Sequence, residues 1–146
     1  MKEQRQQDLS PGEGEQILVV DDNMVCADMC REMLQFLGYK VTAMTDPCEA
    51  LKAFRREPQR FSLLLTDNDM PHLGGIELAK QIKALCPGLP ILSVSASLSN
   101  ISQEDRRRLP FDRYLRKPFG LVEMSCRIRE LLQEMPRPGK GTTEAP

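Results

Sequence analysis

From Gln16 onward the chain alternates two kinds of segment. Short aliphatic runs, "ILVV" (17–20), "VTAM" (41–44), "SLLLT" (62–66), "ILSVS" (91–95) and "RYLR" (113–116), have the length and β-branched content of strands. Most are apolar on both faces, as strands buried in a parallel sheet are. Between them lie stretches of helical periodicity. Residues 23–37 put Cys26, Met29, Cys30, Met33 and Leu37 on one stripe, and residues 121–135 do the same with Leu121, Met124, Ile128, Leu131 and Met135. "DPCEALKAF" opens with Asp46 as N-cap, Pro47 at the first helical position and Glu49 three residues after the cap. "GGIELAKQIKAL" supplies a further helix and "SQEDRRRL" a short polar one. Parallel neighbours need right-handed crossovers, so this order predicts an α/β fold: a doubly wound five-stranded parallel sheet flanked by five helices. The expected organisation is a polar leader over 1–15, one domain over 16–135 and a Pro/Gly-rich tail over 136–146.

The 146 residues suit one domain, and their 40% hydrophobic content is enough for one packed core. With 20 basic and 21 acidic residues, no global charge favours nucleic acid or an anionic membrane. The five cysteines form no CxxC pair and accompany a single histidine, which argues against a zinc site or a disulfide framework. Cys26 and Cys30, at helical spacing, read as small core residues. No run approaches the ~20 apolar residues of a membrane span, and the start lacks the apolar region of a signal peptide, so a cytoplasmic protein is expected.

Ligands of doubly wound sheets sit beyond the carboxyl ends of the strands. There the chain places Asp21 and Asp22 after the first strand, Asp67 and Asp69 after the third, Ser95 after the fourth and Lys117 after the fifth. Taken singly, each is an ordinary cap, turn or surface residue. Together they are not, because two carboxylates about 6 Å apart repel by roughly 3 kcal/mol at an effective dielectric near 20. An all-oxygen cluster favours a hard divalent ion such as Mg²⁺. Lys117 can serve a phosphoryl group as a point charge, and the Ser95 hydroxyl can donate to one of its oxygens. The set describes phosphoryl chemistry on an aspartate.

"ILVVDDN", "LLLTDNDMP" followed by Gly75, "SVSA" and "YLRKPF" resemble, in order, the motifs of the receiver domain of two-component response regulators. The resemblance runs from Gln16 to about Met135. It implies a flavodoxin-like fold and a phosphorylation-activated signalling switch rather than an enzyme acting on other substrates. Asp67 would be the phosphoacceptor, charged from the phosphohistidine of a histidine kinase or histidine phosphotransfer protein. Mg²⁺ would be held by Asp22, by Asp21 directly or through water, by Asp67, and by the backbone carbonyl of Asp69. Lys117, before a cis proline, would pair with the phosphoryl group; Ser95 would swing toward it and Tyr114 would follow inward. The change would reach the face formed by the fourth helix, fifth strand and fifth helix. The resemblance implies no direct nucleic-acid binding and either a monomer or a phosphorylation-dependent dimer. A free-standing receiver, a phosphorelay intermediate and the C-terminal receiver of a hybrid sensor kinase all fit.

Some positions depart from the family pattern. A carboxylate at Asp69 is expected to tune the lifetime of the phosphorylated state. Ser95 stands where Thr is commoner and lacks the methyl that restricts χ1. Pro110 stands where many receivers have Gly or Ala. Arg106, Arg107, Arg108, Arg113 and Arg116 form either a docking patch for an acidic partner or, more simply, a solvated face. His72 has no assigned role. Two rival readings remain: a phosphatase of the haloacid dehalogenase type, from the D-x-D at Asp67 and Asp69, and a receiver used as a phosphorylation-independent binding module. The first is disfavoured because that motif follows the third strand, the second because acceptor, acid pair and lysine are all present.

Overall fold

A computed structural model describes residues 12–68, 74–97 and 101–136. Five strands, β1 (Gln16–Val20), β2 (Lys40–Met44), β3 (Leu63–Asp67), β4 (Ile91–Ser95) and β5 (Arg113–Arg116), alternate with five helices. The helices are α1 (Met24–Phe36), α2 (Pro47–Arg56), α3 (Gly75–Leu85), α4 (Gln103–Arg108) and α5 (Leu121–Glu134). All strands are parallel, in the order β2-β1-β3-β4-β5. The doubly wound five-stranded sheet flanked by five helices is therefore present, with β3 one residue later than its apolar run predicts. That shift makes Asp67 the last residue of the strand.

The central strands carry the two-sided core. Leu63, Leu65, Leu92 and Val94 face α1 and α5, packing with Cys30, Leu34, Met124, Ile128 and Leu131. Leu18, Val20, Leu64 and Ile91 face α2 and α3, against Leu51, Phe54, Leu78 and Ile82. Each such fully buried aliphatic or aromatic side chain stabilises the fold by ~1.5–3 kcal/mol. The α5 stripe is buried as expected at Met124, Ile128 and Leu131. The α1 stripe is rotated from its expected position. Its buried residues are Ala27, Cys30 and Leu34, followed by Leu37, whereas Met29 is 45% exposed and Cys26 half-buried. Leu34 and the small Ala27 let the helix lie close to β1 and β2, which turns the outer sulfur side chains toward solvent.

Local signals explain the helix ends. Asn23 caps α1, its Oδ1 accepting from Cys26 N at 3.1 Å, and Asp46 caps α2, its Oδ1 accepting from Cys48 N at 2.8 Å. Glu49 pairs with Lys52 rather than closing a capping box. After α1, Gly38 takes φ +99°, the left-handed conformation that stops a helix. Residues 12–15, expected as part of the leader, run beside this turn, with Gly12 N donating to Leu37 O and Gly14 N to Gly38 O. Of the arginines, Arg108 pairs with Glu104 on α4, and Arg113 with Glu130 and Glu134 on α5.

Candidate phosphoacceptor site

Parallel register assembles the site. Val20 lies opposite Thr66, so Asp21 and Asp67, one residue further on, stand side by side on strands about 4.8 Å apart. Asp67 pairs with Val94 and Ser95 with Arg116, which brings Ser95 and Lys117 to the same rim. Lys117 N donates to Ser95 O at 3.0 Å, and the Lys117–Pro118 peptide bond is cis. Sheet order reverses between β1 and β3, and the acids lie at that switch point.

One carboxylate oxygen from each of Asp21, Asp22 and Asp67 lies within 4.8 Å of the others. Asp21 and Asp67 are buried and Asp22 is exposed. Asp21 is held on both oxygens: Oδ1 accepts from Asn23 N at 2.9 Å and Oδ2 from Lys117 Nζ at 3.2 Å. Lys117 Nζ also lies 3.7 Å from Asp67 Oδ1. Burial of the amine opposes its charge, but the carboxylates of Asp67 and Asp21, with the hydrogen bond to Asp21, outweigh that and hold Lys117 above the usual lysine range. The amine is thus a permanent cation at working pH. Asp69 and His72 lie outside the described residues.

The donor set suits a small hard cation. Three carboxylates give oxygen ligands only, their spread is close to the ~4 Å between opposite oxygens of a magnesium shell, and exposed Asp22 leaves a side open to water. The amide oxygen of Asn68, next to Asp67, is buried with no hydrogen-bond partner among the described residues.

Ser95 is buried, and its Oγ accepts from Ser97 N at 3.1 Å with Ser97 Oγ 3.2 Å away. A hydroxyl with two acceptor lone pairs can keep that bond while its proton turns to another oxygen. Sequence reasoning missed Ser97, although the repeated serines of "SVSAS" were its signal. Tyr114 is tied outward: its hydroxyl donates to Arg106 O at 2.9 Å, the Arg106 guanidinium lies 5.6 Å from the ring centroid, and Phe111 packs edge-on at 5.8 Å. Gly75 opens α3 directly against the end of β3. A Cβ there would collide with the Asp67 carbonyl oxygen and stand 3.0 Å from Asn68 Cα, so only glycine lets α3 start so close to the end of β3.

The molecule is thus of the doubly wound α/β class, with three acids gathered at its switch point and a lysine beside them. The chain belongs to the response regulator receiver domain family, whose model matches residues 17–129. It is 38% identical over 117 residues to the response regulator MprA of Mycobacterium leprae, covering 80% of this chain and 50% of that one. The chain spans about half the length of the curated relatives it matches. Among solved structures, a CheY-like receiver domain protein of Methanospirillum hungatei superposes with a TM-score of 0.75 at 29% identity, covering 86% of this chain and 99% of that one. The receiver domain of a sensor histidine kinase of Pseudomonas aeruginosa, with magnesium coordinated in its active site cleft, gives 0.70 at 30% identity over 82% and 96%.

Proposed function

We propose that this receiver is a phosphorylation switch in which Asp67 accepts the phosphoryl group from a phosphohistidine on a histidine kinase or histidine phosphotransfer protein. The observation that carries this is the placement of Asp67, buried at the end of β3 with Asp21 and Lys117 beside it. A carboxylate oxygen of Asp67 attacks phosphorus, the N–P bond breaks, and the imidazole leaves with the bonding pair and takes up a proton. Lys117 is positioned to balance charge on the transferring group, and such positioning and neutralisation are most of what phosphoryl transfer asks of a protein. Mg²⁺ would be held by Asp21, Asp22 and Asp67, with the Asp69 carbonyl completing the set, and would supply charge neutralisation.

The acyl phosphate carries close to two negative charges and three strong acceptors. Ser95 gains a partner only in that state, and this differential contact shifts the conformational equilibrium. Inward movement of Tyr114 requires release of its bond to Arg106 O, about 1 kcal/mol, and of the guanidinium contact, about 0.5–1 kcal/mol. Release would free α4 and so carry the signal to the α4–β5–α5 face. The domain acts on its own acceptor and is regulatory. The reading includes a cytoplasmic setting, no direct nucleic-acid contact and a monomer or a phosphorylation-dependent dimer; no described helix is long and apolar enough to cross a membrane. A place at the C-terminus of a hybrid sensor kinase fits as well as a free-standing receiver. The likeness to a kinase-borne receiver supports that option.

Incubation with acetyl phosphate and Mg²⁺ followed by intact-mass measurement tests the proposal. One added phosphoryl group, absent from Asp67→Asn, is expected. An unmodified wild type would point instead to a passive binding module, and an adduct that persists in Asp67→Asn would place the acceptor elsewhere.

A further inference from the structure

Helix α4 has little of its own to hold it in place. It has six residues and no buried side chain, and isolated helices shorter than ~12–15 residues are marginal in water. Its local supports are the Ser102 cap, whose Oγ accepts from Asp105 N at 3.1 Å, and the exposed Glu104–Arg108 pair. Neither reaches the sheet. Arg106 alone of the residues of α4 is half-buried, and through it the helix meets β5. Its guanidinium lies 5.6 Å from the Tyr114 ring centroid while its Nε donates to Ile101 O at 3.1 Å, one residue before the cap. One side chain therefore grips the entry of the helix and the ring of Tyr114 together. Phe111 packs edge-on against the same ring at 5.8 Å. A planar guanidinium can meet an aromatic face while an N–H in its own plane points to a carbonyl, a division of labour that an ammonium lacks.

We propose that the Arg106 side chain is a latch that sets the resting position of the switch: bridging Ile101 O and the Tyr114 ring, it holds α4 docked and Tyr114 outward. The latch presupposes Asp67 as phosphoacceptor, and it assigns the resting equilibrium to a positioning residue outside the acid cluster. The hydrogen bond from the Tyr114 hydroxyl goes to the main-chain oxygen of Arg106, so it stays available in any variant at that position. Substitution of Arg106 thus isolates the guanidinium. Without it the inward state of Tyr114 is more populated before any ligand is bound, and a ligand of that state gains apparent affinity by the same factor.

The test uses the full chain labelled with fluorotyrosine, which reports on Tyr39 and Tyr114 alone because the sequence has 2 tyrosines. Fluorine NMR of the unliganded chain should show the Tyr114 signal displaced in Arg106→Ala and unmoved in the variant of its exposed neighbour, Arg107→Ala. Titration with Mg²⁺ and beryllofluoride, a stand-in for the phosphoryl group, should give about two- to fivefold tighter binding in Arg106→Ala, the factor carried by one exposed cation–π contact. In a Tyr114→Leu background the same substitution should leave the affinity unchanged, which a merely structural role of Arg106 would not predict. Equal affinity in wild type and Arg106→Ala, an equal gain in Arg107→Ala, or a gain that persists with Tyr114→Leu would each overturn the latch. A wild type that binds no beryllofluoride would instead remove the reading of Asp67. The latch is then judged on the unliganded chain, where a Tyr114 signal unmoved by Arg106→Ala overturns it too.

Discussion

Lys117 Nζ lies 3.2 Å from Asp21 Oδ2, a contact between the end of β5 and the end of β1 across 96 residues of sequence. It ties the amine that would meet a phosphoryl group to an acid that would hold the metal. Removing it should therefore change two properties in opposite directions. In Lys117→Met, Mg²⁺ binding measured by calorimetry should tighten by about tenfold or more, because a positive charge a few ångströms away is gone. Phosphorylation by acetyl phosphate should slow by about 100-fold, since a pre-placed cation for the transferring group is lost. Weaker Mg²⁺ binding would show that the three acids do not form the ion's site.

Gly75 opens α3, whereas Gly88 lies in the turn that follows that helix. Alanine has the better helix propensity, by about 1 kcal/mol over glycine. At position 75, however, the added methyl meets the Asp67 carbonyl, and overpacking of that kind destabilises by about 1–3 kcal/mol. Gly75→Ala should therefore lower the urea midpoint and impair phosphorylation. Gly88, with nothing within 4 Å of its Cβ position, should accept alanine within about 0.5 kcal/mol. Equal urea midpoints for the two variants would contradict the close approach of α3 to β3.

The alkaline limb of stability has a definite sign. Burial, then Asp21, pushes the Cys30 thiol from 9.0 up to about 12, and burial, then Glu15, pushes the Tyr39 phenol from 10.0 up to about 12. Both folded values lie above the unfolded ones, so folding favours the protonated forms. The stabilisation is complete below pH 9 for Cys30 and below pH 10 for Tyr39, and disappears as pH rises to about 12. Urea midpoints should fall across that window, and Tyr39→Phe should flatten part of the fall. A midpoint independent of pH there would mean that these groups titrate normally in the native state.

Asp112 clamps the start of the last two strands. Its Oδ2 accepts from Lys83 Nζ at 2.9 Å and from Ile91 N at 2.8 Å, joining α3 to β4 and β5. Truncation in Asp112→Ala leaves a partly buried amide and amine without that acceptor, which should destabilise by about 1–3 kcal/mol. The measurement is chemical denaturation at two salt concentrations. A loss under 0.5 kcal/mol, on the order of an exposed ion pair, would show that water replaces the clamp.

Much of this protein is local physics and was legible residue by residue. Apolar runs between polar periodic stretches defined five strands and five helices, Asp46-Pro47 marked a helix start, and strand-end acids and a lysine marked the rim. Those features depend on neighbours a few positions away, which the chain itself records. The rest arises from contacts between distant segments. Whether Asp21 meets Asp67 depends on β1 pairing with β3 rather than on either motif. Which side of α1 faces the sheet depended on how Ala27 and Leu34 pack, so the sulfur stripe that periodicity assigned to the core was turned half outward. Periodicity specifies that a helix has an apolar face; only packing against a particular partner selects which of two overlapping faces is buried, because the choice turns on shape and volume across the interface.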